Sequence, residues 1–275
     1  VKPEKAPANC TAETTYNTVS LNWAKAADAD GYTITRKVEG ADTEQTIAHV
    51  DGVDAVSYKD TGVQTGNIYI YHVYAYTKYT NNGQQDYANT DTYATIKAAP
   101  QLGKAALTSV TAEGYSSLTL KWEEVDGATG YIVYRSTDKS KVDTQIMDIT
   151  NGAVSYVDTA LTAGNTYYYK VQPYCVVNGK KVYGDASGIL SGKPLPSATK
   201  LTAESAGYKE VNLTWSAVDG VTGYEVYRKT SSSSYKKIAT VAGEKTGYSD
   251  TKVTAGTAYT YKVRAYKTVN GSQVY

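Results

Sequence analysis

The side chains of this 275-residue chain that could do acid–base or nucleophilic chemistry are few and scattered. The chain has two histidines, His49 and His72, and two cysteines, Cys10 and Cys175. His72 lies at an outward position of an alternating apolar stretch, where a solvated strand residue is expected, and His49 lies beside a turn. Nucleophilic hydrolysis needs a nucleophile, a histidine and an orienting carboxylate together, and no such set can be assembled here. We therefore predict no catalytic residues and no enzyme activity.

A group of carboxylates, Asp28, Asp30 and Glu39, has part of the spacing of a calcium-binding loop. The EF-hand pattern also requires an oxygen-bearing side chain at its fifth position and glycine at its sixth. Tyr32 and Thr33 hold these two positions, so the carboxylates are interpreted as a polar loop between strands. The sequence contains no glycine-rich phosphate loop, His-Glu-x-x-His or Cys-x-x-Cys motif. We expect neither a metal nor a cofactor.

The composition argues against two further classes of function. Lys and Arg total 28 and Asp and Glu total 27, so the chain lacks the basic excess that is typical of nucleic-acid-binding surfaces. It also lacks a run of about 18 apolar residues, so we expect no membrane insertion. The aromatic content is unusual, with 28 Tyr, 3 Trp and no Phe. Because tyrosine suits pleated, half-wetted surfaces, this content favours β structure.

Five sequence markers occur three times in the same order, which divides the chain into three repeats. A tryptophan is followed nine residues later by the tyrosine of a Gly-Tyr pair. An Asp-Thr pair comes next, then an apolar residue with glycine three and tyrosine six positions later, and finally an Asn-Gly pair. The marker aromatic residues are Trp23, Tyr32 and Tyr69; Trp122, Tyr131 and Tyr167; and Trp215, Tyr224 and Tyr259.

Short proline-containing stretches, residues 97–103 and 193–196, separate the repeats. Proline cannot donate to a strand ladder, so it marks joints and edges in β proteins. We predict three domains, with the ranges 1–98, 103–193 and 197–275. Because the linkers are short and proline restricts the backbone, we expect limited bending between neighbours and an elongated array.

Within each repeat, apolar residues alternate with a period of two, as in residues 118–122 and 131–135, which predicts half-buried strands. Asn-Gly between two alternating runs predicts a hairpin, because both turn residues adopt positive φ. About seven short strands per ~90–100 residues is typical of an immunoglobulin-like β-sandwich. The predicted fold is all-β, with three tandem sandwiches.

The three repeats resemble fibronectin type III domains, and the chain is similar to tandem arrays of them in bacterial, Gram-positive-like extracellular or cell-surface proteins. The resemblance is carried by the tryptophan on the second strand, the Gly-Tyr pair that opens the third, and residues 161–171, Leu-Thr-Ala-Gly-Asn-Thr-Tyr-Tyr-Tyr-Lys-Val. The last stretch is similar to the tyrosine corner of this family, where a hydroxyl bonds back to the chain. The resemblance implies that role for Tyr69, Tyr167 and Tyr259, and a secreted or cell-surface location.

Strand parity predicts which side chains form the cores. The predicted structural core consists of Trp23, Trp122, Trp215, Tyr32, Tyr131, Tyr224, Tyr69, Tyr167 and Tyr259. In the second repeat, parity adds Leu118, Leu120, Val133, Tyr156, Leu161, Tyr169 and Val171. Cys10 aligns with Val110 and Leu201, so we expect it to act as a small apolar core residue. Cys10 and Cys175 lie in different repeats and are not expected to pair.

The third repeat stops at Tyr275, at a position where the first two repeats continue for ten more residues. We therefore expect the third domain to lack its last strand. One interpretation is a cut in the chain, and the other is that another chain donates the strand to the open edge. The chain is expected to be a monomer unless strands are exchanged at this C-terminal edge.

Tyrosines at outward positions form the candidate binding surface. They are Tyr134, Tyr168 and Tyr174 in the second repeat, Tyr227 and Tyr266 in the third, and Tyr74 and Tyr76 in the first. An aromatic patch on a sheet face could stack on sugar rings or bind a protein. The alternative is that cross-strand tyrosine pairs stabilise the solvent-facing side by roughly 0.2–1 kcal/mol each.

Two functional hypotheses follow, both resting on the family resemblance. The first is a non-catalytic extracellular array that acts as a spacer or adhesion scaffold of a bacterial surface or secreted protein, including carbohydrate-degrading ones. The alternative is a binding protein for glycans or for a host protein or receptor, through the tyrosine faces or loops. This alternative includes a secreted hormone-like polypeptide with this fold. Neither hypothesis involves a nucleic acid.

Overall fold

The computed structural model describes residues 2–275, and these residues form strands, turns and bends without helix. In the first repeat the strands are β1 (Ala8–Thr14), β2 (Val19–Ala24), β3 (Gly31–Val38), β4 (Gln45–Asp51), β5 (Ser57–Asp60), β6 (Tyr69–Asn81), β7 (Gln84–Asn89) and β8 (Ala94–Ala98). In the second they are β9 (Leu107–Ala112), β10 (Leu118–Trp122), β11 (Gly130–Ser136), β12 (Thr144–Ile149), β13 (Ser155–Asp158), β14 (Tyr167–Val177), β15 (Lys180–Tyr183) and β16 (Leu190–Gly192). In the third they are β17 (Leu201–Gly207), β18 (Glu210–Trp215), β19 (Gly223–Lys229), β20 (Lys236–Ala242), β21 (Gly247–Asp250), β22 (Thr260–Val269) and β23 (Ser272–Val274).

Each repeat contributes one three-stranded antiparallel sheet and one larger antiparallel sheet. The small sheets have the orders β1-β2-β5, β9-β10-β13 and β17-β18-β21. The large sheets have the orders β4-β3-β6-β7, β12-β11-β14-β15 and β20-β19-β22-β23. β8 pairs with the first half of β6, and β16 with the first half of β14. The predicted all-β fold of tandem sandwiches is confirmed.

The three marker tryptophans lie between the sheets, each against the tyrosine of the Gly-Tyr pair. Trp122 is 4% exposed, and its ring centroid lies 5.5 Å from that of Tyr131 in an edge-on arrangement. The Tyr131 hydroxyl accepts a hydrogen bond from the Val125 amide at 2.9 Å. Equivalent bonds join Tyr32 to Ala26 and Tyr224 to Val218. Each pair therefore combines core packing with an anchor for the loop that follows the second strand.

The second set of marker tyrosines forms the predicted hydrogen bond at the start of each long strand. The hydroxyls of Tyr69, Tyr167 and Tyr259 each accept a bond at 3.0 Å from the backbone amide five residues earlier. Tyr69 and Tyr167 are buried, as predicted. Tyr259 is half-buried, so its assignment to the buried core was wrong.

The exposure of Tyr259 has a physical cause in the neighbouring strand. Tyr69 and Tyr167 pair with Ala98 of β8 and Gly192 of β16. Among residues 2–275, β22 pairs with β19 and β23 alone, so no strand covers the edge beside Tyr259. The third domain thus has the same hydrogen-bonded corner as the others with less covering.

The remaining core predictions hold with two residues at the margin. In the second domain, Leu118, Leu120, Val133, Tyr169 and Val171 are fully buried. Tyr156 is half-buried at the edge of the same cluster. Cys10 is likewise half-buried against the first core, and Cys175 is buried in the second. Both cysteines are free thiols, and burial raises the pKa of each.

Candidate functional surface

Three of the seven tyrosines predicted to form a binding surface are buried, so their predicted exposure was wrong. They are Tyr76, Tyr174 and Tyr266, with exposures of 0%, 2% and 7%. Strand pairing places them opposite Gly31, Gly130 and Gly223, the glycines of the Gly-Tyr pairs.

Each of these tyrosine rings lies across the glycine that faces it. A Cβ atom added to Gly130 would lie 2.4 Å from the Tyr174 hydroxyl oxygen, closer than atoms can approach. The glycine therefore provides the space that the ring fills. Tyr174 also donates a hydrogen bond to Asp148 at 2.8 Å, and burial followed by this bond raises its pKa. Lys181 completes the arrangement by contacting both Asp148 and the ring.

The other four predicted surface tyrosines are half-buried, namely Tyr74, Tyr134, Tyr168 and Tyr227. Tyr134 donates a hydrogen bond to Gln172 at 3.0 Å, and the Lys170 ammonium lies 5.1 Å from its ring centroid. Tyr227 donates to Glu225 at 2.6 Å. These contacts, between neighbouring strands of one sheet or along one strand, favour the interpretation that the tyrosines stabilise their own sheets.

The most exposed tyrosines lie outside the predicted set. They are Tyr79, Tyr93, Tyr183 and Tyr208, with exposures of 47%, 46%, 48% and 80%. Tyr93 lies in a loop and Tyr208 in a turn, where strand parity gives no information, whereas Tyr79 and Tyr183 lie near the ends of β6 and β15, which flank the Asn-Gly hairpin turns. Tyr93 packs on His72 and Tyr74, at centroid distances of 4.1 and 5.0 Å.

The outward face of the third domain is held by a buried carboxylate. Glu225 is 2% exposed and contacts Tyr227, Lys237 at 2.9 Å and Arg264 at 2.9 Å. Burial alone would raise the pKa of Glu225, but the three donors outweigh it and lower the pKa to about 2. The carboxylate is therefore charged in the folded domain well below the ordinary range for glutamate.

This shift predicts acid sensitivity in the third domain. A glutamate in the unfolded chain has a pKa of about 4.3, so the depressed folded value stabilises the domain above that pH. The contribution is lost as pH falls from about 4.3 towards 2, and we expect a loss of about 2 kcal/mol, since the two cations are half-exposed. Amide exchange along β19 in urea, at a series of pH values from 2 to 6, measures this loss of unfolding free energy.

Glu225→Gln provides the comparison, because it removes the titrating group while keeping the side-chain shape. We expect it to be less stable than the unmodified chain at pH 6 and to flatten the pH dependence. Glu204→Gln, at an exposed position of the same domain, is the matched control. Parallel pH profiles for Glu225→Gln and the unmodified chain would contradict the assignment.

The side chains that could do other chemistry serve structural contacts in the first domain. His49 stacks on Tyr87 at 3.8 Å and lies 3.0 Å from the Thr33 hydroxyl. His72 was expected to be solvated, but its side chain is 12% exposed because it contacts Glu44 at 2.7 Å and Tyr93. Across residues 2–275, no three His, Cys, Asp or Glu side chains are grouped so as to hold a metal ion. The same residues contain no helix that is long and apolar enough to cross a membrane.

The two junctions between neighbouring domains use the same tyrosine-on-glycine contact. Tyr16, before β2, packs its ring on Gly127 of the second domain, and Tyr115, before β10, packs on Gly220 of the third. A Cβ atom at Gly127 or Gly220 would lie 2.3 or 1.9 Å from the tyrosine ring. Both glycines also have positive φ, +79° and +67°. The contact thus requires glycine for two reasons, close approach and backbone conformation.

A second contact repeats at both junctions. Gly66, in the loop before β6, faces Val182 of the second domain, and Gly164, before β14, faces Val274 of the third. The Cγ2 atoms of these valines lie 3.0 and 2.8 Å from where a Cβ on the glycine would be. Lys267, which donates a hydrogen bond to the Gly220 carbonyl within the third domain at 2.6 Å, also reaches across the second junction, with its ammonium 4.9 Å from the centroid of the Tyr115 ring. Each junction therefore has at least two separate points of contact.

Sequence reasoning missed these junction residues. Tyr16 and Tyr115 each lie three residues before the first inward residue of the second strand, which is a recurring position that strand parity does not cover. The glycines three residues before the Gly-Tyr pairs were a further signal, since they recur in the second and third repeats. In the first repeat that position holds Asp28.

Comparison with known proteins matches the third domain to a described family and most of the chain to two curated relatives. Residues 201–275 match a family model described as fibronectin type III domain SaeA third domain. The chain is 28% identical over 270 residues to exoglucanase B of Cellulomonas fimi, covering 90% of this chain and 22% of that protein. It is 27% identical over 307 residues to amylopullulanase of Thermoanaerobacterium saccharolyticum, covering 95% and 23%.

The chain therefore spans less than a quarter of the length of these two curated relatives. Among solved structures, a segment of two fibronectin type III domains from chicken tenascin is 18% identical, with a TM-score of 0.43. It covers 68% of this chain and 98% of that one.

Proposed function

We propose that this chain, whose third domain matches a fibronectin type III family model and whose three repeats share one sheet topology, is a tandem array of such domains that acts as a non-catalytic spacer and adhesion scaffold in a bacterial surface or secreted protein. The observation that carries the proposal is the repetition of one domain contact at both junctions, Tyr16 on Gly127 and Tyr115 on Gly220. A flexible tether would have no need of matched contacts. A spacer that holds its neighbours at a set distance needs them.

The mechanism of spacing is geometric. A linker with a single contact lets two domains pivot about that point, whereas two separated contacts resist bending. Here the tyrosine contact and the valine contact come from different loops of the preceding domain. Proline at residues 100, 194 and 196 restricts the linkers further. The three domains would then act as one stiff unit.

The relatives named exoglucanase B and amylopullulanase support an association with polysaccharide-degrading enzymes outside the cell. In that setting the array would hold a catalytic domain at a set distance from a surface or from a second domain. The binding of glycans or host proteins through tyrosine faces stays a prediction. It is the less favoured one, because Tyr174 and its equivalents are buried against glycine.

Substitution of the junction glycine tests the spacing role. We expect Gly220→Ala to loosen the second junction, since the added methyl group overlaps the Tyr115 ring and strains the backbone. Spin labels at Lys139→Cys and Ser231→Cys, with both native cysteines removed, report the distance between the second and third domains by pulsed electron resonance. A narrow distance distribution should broaden at least about twofold.

Gly152→Ala is the matched control. Gly152 has a similar positive φ of +71°, and a Cβ atom there would meet nothing within 4 Å. We expect it to leave the distance distribution unchanged. A broad distance distribution in the unsubstituted chain, no narrower than that of Gly220→Ala, would show that the two domains move independently. The spacing role would then fail.

A further inference from the structure

Tyr208 is the third member of the series that forms the two junctions. Tyr16, Tyr115 and Tyr208 each lie three residues before the first apolar residue of the second strand. Tyr16 and Tyr115 are half-buried against the glycine of the next domain. Tyr208 is 80% exposed, the most exposed large hydrophobic side chain among residues 2–275.

The glycine–valine contact of the junctions also has a counterpart in the third domain that lacks a partner among the described residues. Gly256 corresponds to Gly66 and Gly164, which face valines of the next domain. A Cβ atom on Gly256 would meet nothing within 4 Å among the described residues. The preceding residue shows the same contrast. Thr65 and Ala163 are 4% and 5% exposed, whereas Ala255 is exposed.

These residues lie together at one end of the third domain. A cavity of about 260 Å³ is lined by both Tyr208 and Gly256, together with Val253, Ala255 and Tyr259. We name this the Tyr208 surface. This surface contains both residues that correspond to the junction-forming residues of the first two domains, the tyrosine and the glycine. It lies at the same end of the third domain as the ends through which the first two domains contact their successors.

We propose that the Tyr208 surface docks a further fibronectin type III domain of one defined kind. That domain presents a glycine with positive φ three residues before its Gly-Tyr pair, to receive the Tyr208 ring. It also presents a valine one residue before the tyrosine that follows its Asn-Gly hairpin, to cover Gly256. Gly220 and Val274 hold these two positions in the third domain. The inference goes beyond the spacing role, since it concerns a surface that neither junction uses.

A second copy of this chain does not meet these requirements. In its first domain the two receiving positions hold Asp28 and Asp86. Asp28 has a positive φ of 59°, so it keeps the backbone shape, but its side chain begins where the tyrosine ring would lie. At the receiving glycines of the second and third domains, Gly127 and Gly220, the place of the ring is already taken by Tyr16 and Tyr115. The occupant is therefore a different domain.

An extended chain tests the proposal with the protein's own parts. A copy of residues 184–275 is appended after Tyr275, which is equivalent to Tyr183. The copy supplies the third domain with the last strand of the second and then adds a fourth domain that carries the receiving glycine and valine. Tyr208→Phe in the appended copy leaves a single Tyr208 to follow. Hydroxyl-radical labelling, read by mass spectrometry, measures how exposed that ring is.

We expect Tyr208 to label several-fold faster than Tyr115 in the 275-residue chain and at the rate of Tyr115 in the extended chain. Gly220→Ala in the appended copy should restore fast labelling, because it blocks the receiving position. Unchanged labelling of Tyr115 shows that the existing junction remains intact in every variant.

Three outcomes would overturn the proposal. The first is fast labelling of Tyr208 in the extended chain. The second is slow labelling that persists in the Gly220→Ala copy, since the linker would then be the covering element. The third is slow labelling of the 275-residue chain that depends on its concentration, which would identify a second copy as the occupant.

Discussion

Replacing Asp158 with alanine is expected to lower the unfolding free energy of the second domain by about 3 kcal/mol. Asp158 is 3% exposed and accepts two hydrogen bonds from Arg135, both at 3.0 Å, and one from the Tyr169 hydroxyl at 2.7 Å. Its loss leaves a charged guanidinium and a buried hydroxyl without their acceptor. Because the Arg135 side chain is 33% exposed, water can partly replace the carboxylate, which places the cost at the lower end of about 3–5 kcal/mol.

Urea unfolding followed by amide exchange along β14 measures this loss in the second domain alone. Asp143→Ala, at an exposed position of the same domain, is the control and should change stability by less than about 0.5 kcal/mol. A triple variant, Arg135→Met with Asp158→Leu and Tyr169→Phe, should be more stable than Asp158→Ala, because it leaves no unpaired polar group. Equal stability of Asp158→Ala and Asp143→Ala would contradict the assignment.

The same three-residue arrangement occurs in every domain. Arg36, Asp60 and Tyr71 form it in the first, and Arg228, Asp250 and Tyr261 in the third. In each domain, burial followed by the bond to the aspartate raises the tyrosine pKa. The aspartate is the first residue of the Asp-Thr marker. The marker therefore recurs because the aspartate side chain accepts hydrogen bonds from an arginine and a tyrosine on two other strands.

The sequence showed that these aspartates recur, but it could not show what they bind. Their arginine partners lie 22 to 24 residues away along the chain. A visible signal existed, since each arginine lies five residues after the glycine of the Gly-Tyr pair. Alternation places each arginine on the same side of its strand as the tyrosine of the Gly-Tyr pair, as Arg135 is with Tyr131, but the pattern of one strand cannot show which residue of another strand it meets.

Strand parity predicted the inner layer well and the outer layer poorly, for one physical reason. An inward side chain in the middle of a sheet is buried mainly by the opposite sheet, so Trp122, Tyr131 and Val171 lie where alternation placed them, and Tyr259, beside an open edge, is the exception. The burial of an outward side chain depends on the residue beside it on the next strand. Tyr174 is buried because that residue is Gly130, a cross-strand pairing that one strand's pattern cannot reveal.

The domain junctions were unpredictable for a related reason. The linker residues indicated only that bending would be limited, whereas the contacts come from turns far from the linker. Tyr16 is 111 residues from Gly127, and Tyr115 is 105 from Gly220. Comparing the three repeats with one another nevertheless makes the pattern visible. Where the receiving residue contacts a tyrosine ring of the preceding domain it is glycine, and in the first domain, which has no preceding domain among residues 2–275, it is Asp28, although all three have positive φ.

Trp122→Ala is expected to lower the unfolding free energy of the second domain by about 3–5 kcal/mol. The indole is 4% exposed and contacts the Tyr131 ring edge-on at the centre of the sandwich. A domain of about 90 residues buries little more than 60% of its unfolded surface, so one such side chain is a large share of its core. The loss combines the apolar area returned to water with the cavity that remains, which the surrounding strands can only partly close.

Trp122→Phe separates these two contributions, because it keeps an aromatic ring against Tyr131 and leaves a smaller cavity. We expect it to lose less than half as much stability as Trp122→Ala, and both losses should appear as a lower urea midpoint for the amides of β10 and β14. We expect the third domain to keep its own urea midpoint. Since domains two and three share a junction, a change there would require the contact at Gly220 to couple them. An unchanged midpoint in Trp122→Ala would show that the tryptophan does not support the core. A simultaneous fall in the midpoint of the third domain would show that the junction couples the stabilities of the two domains.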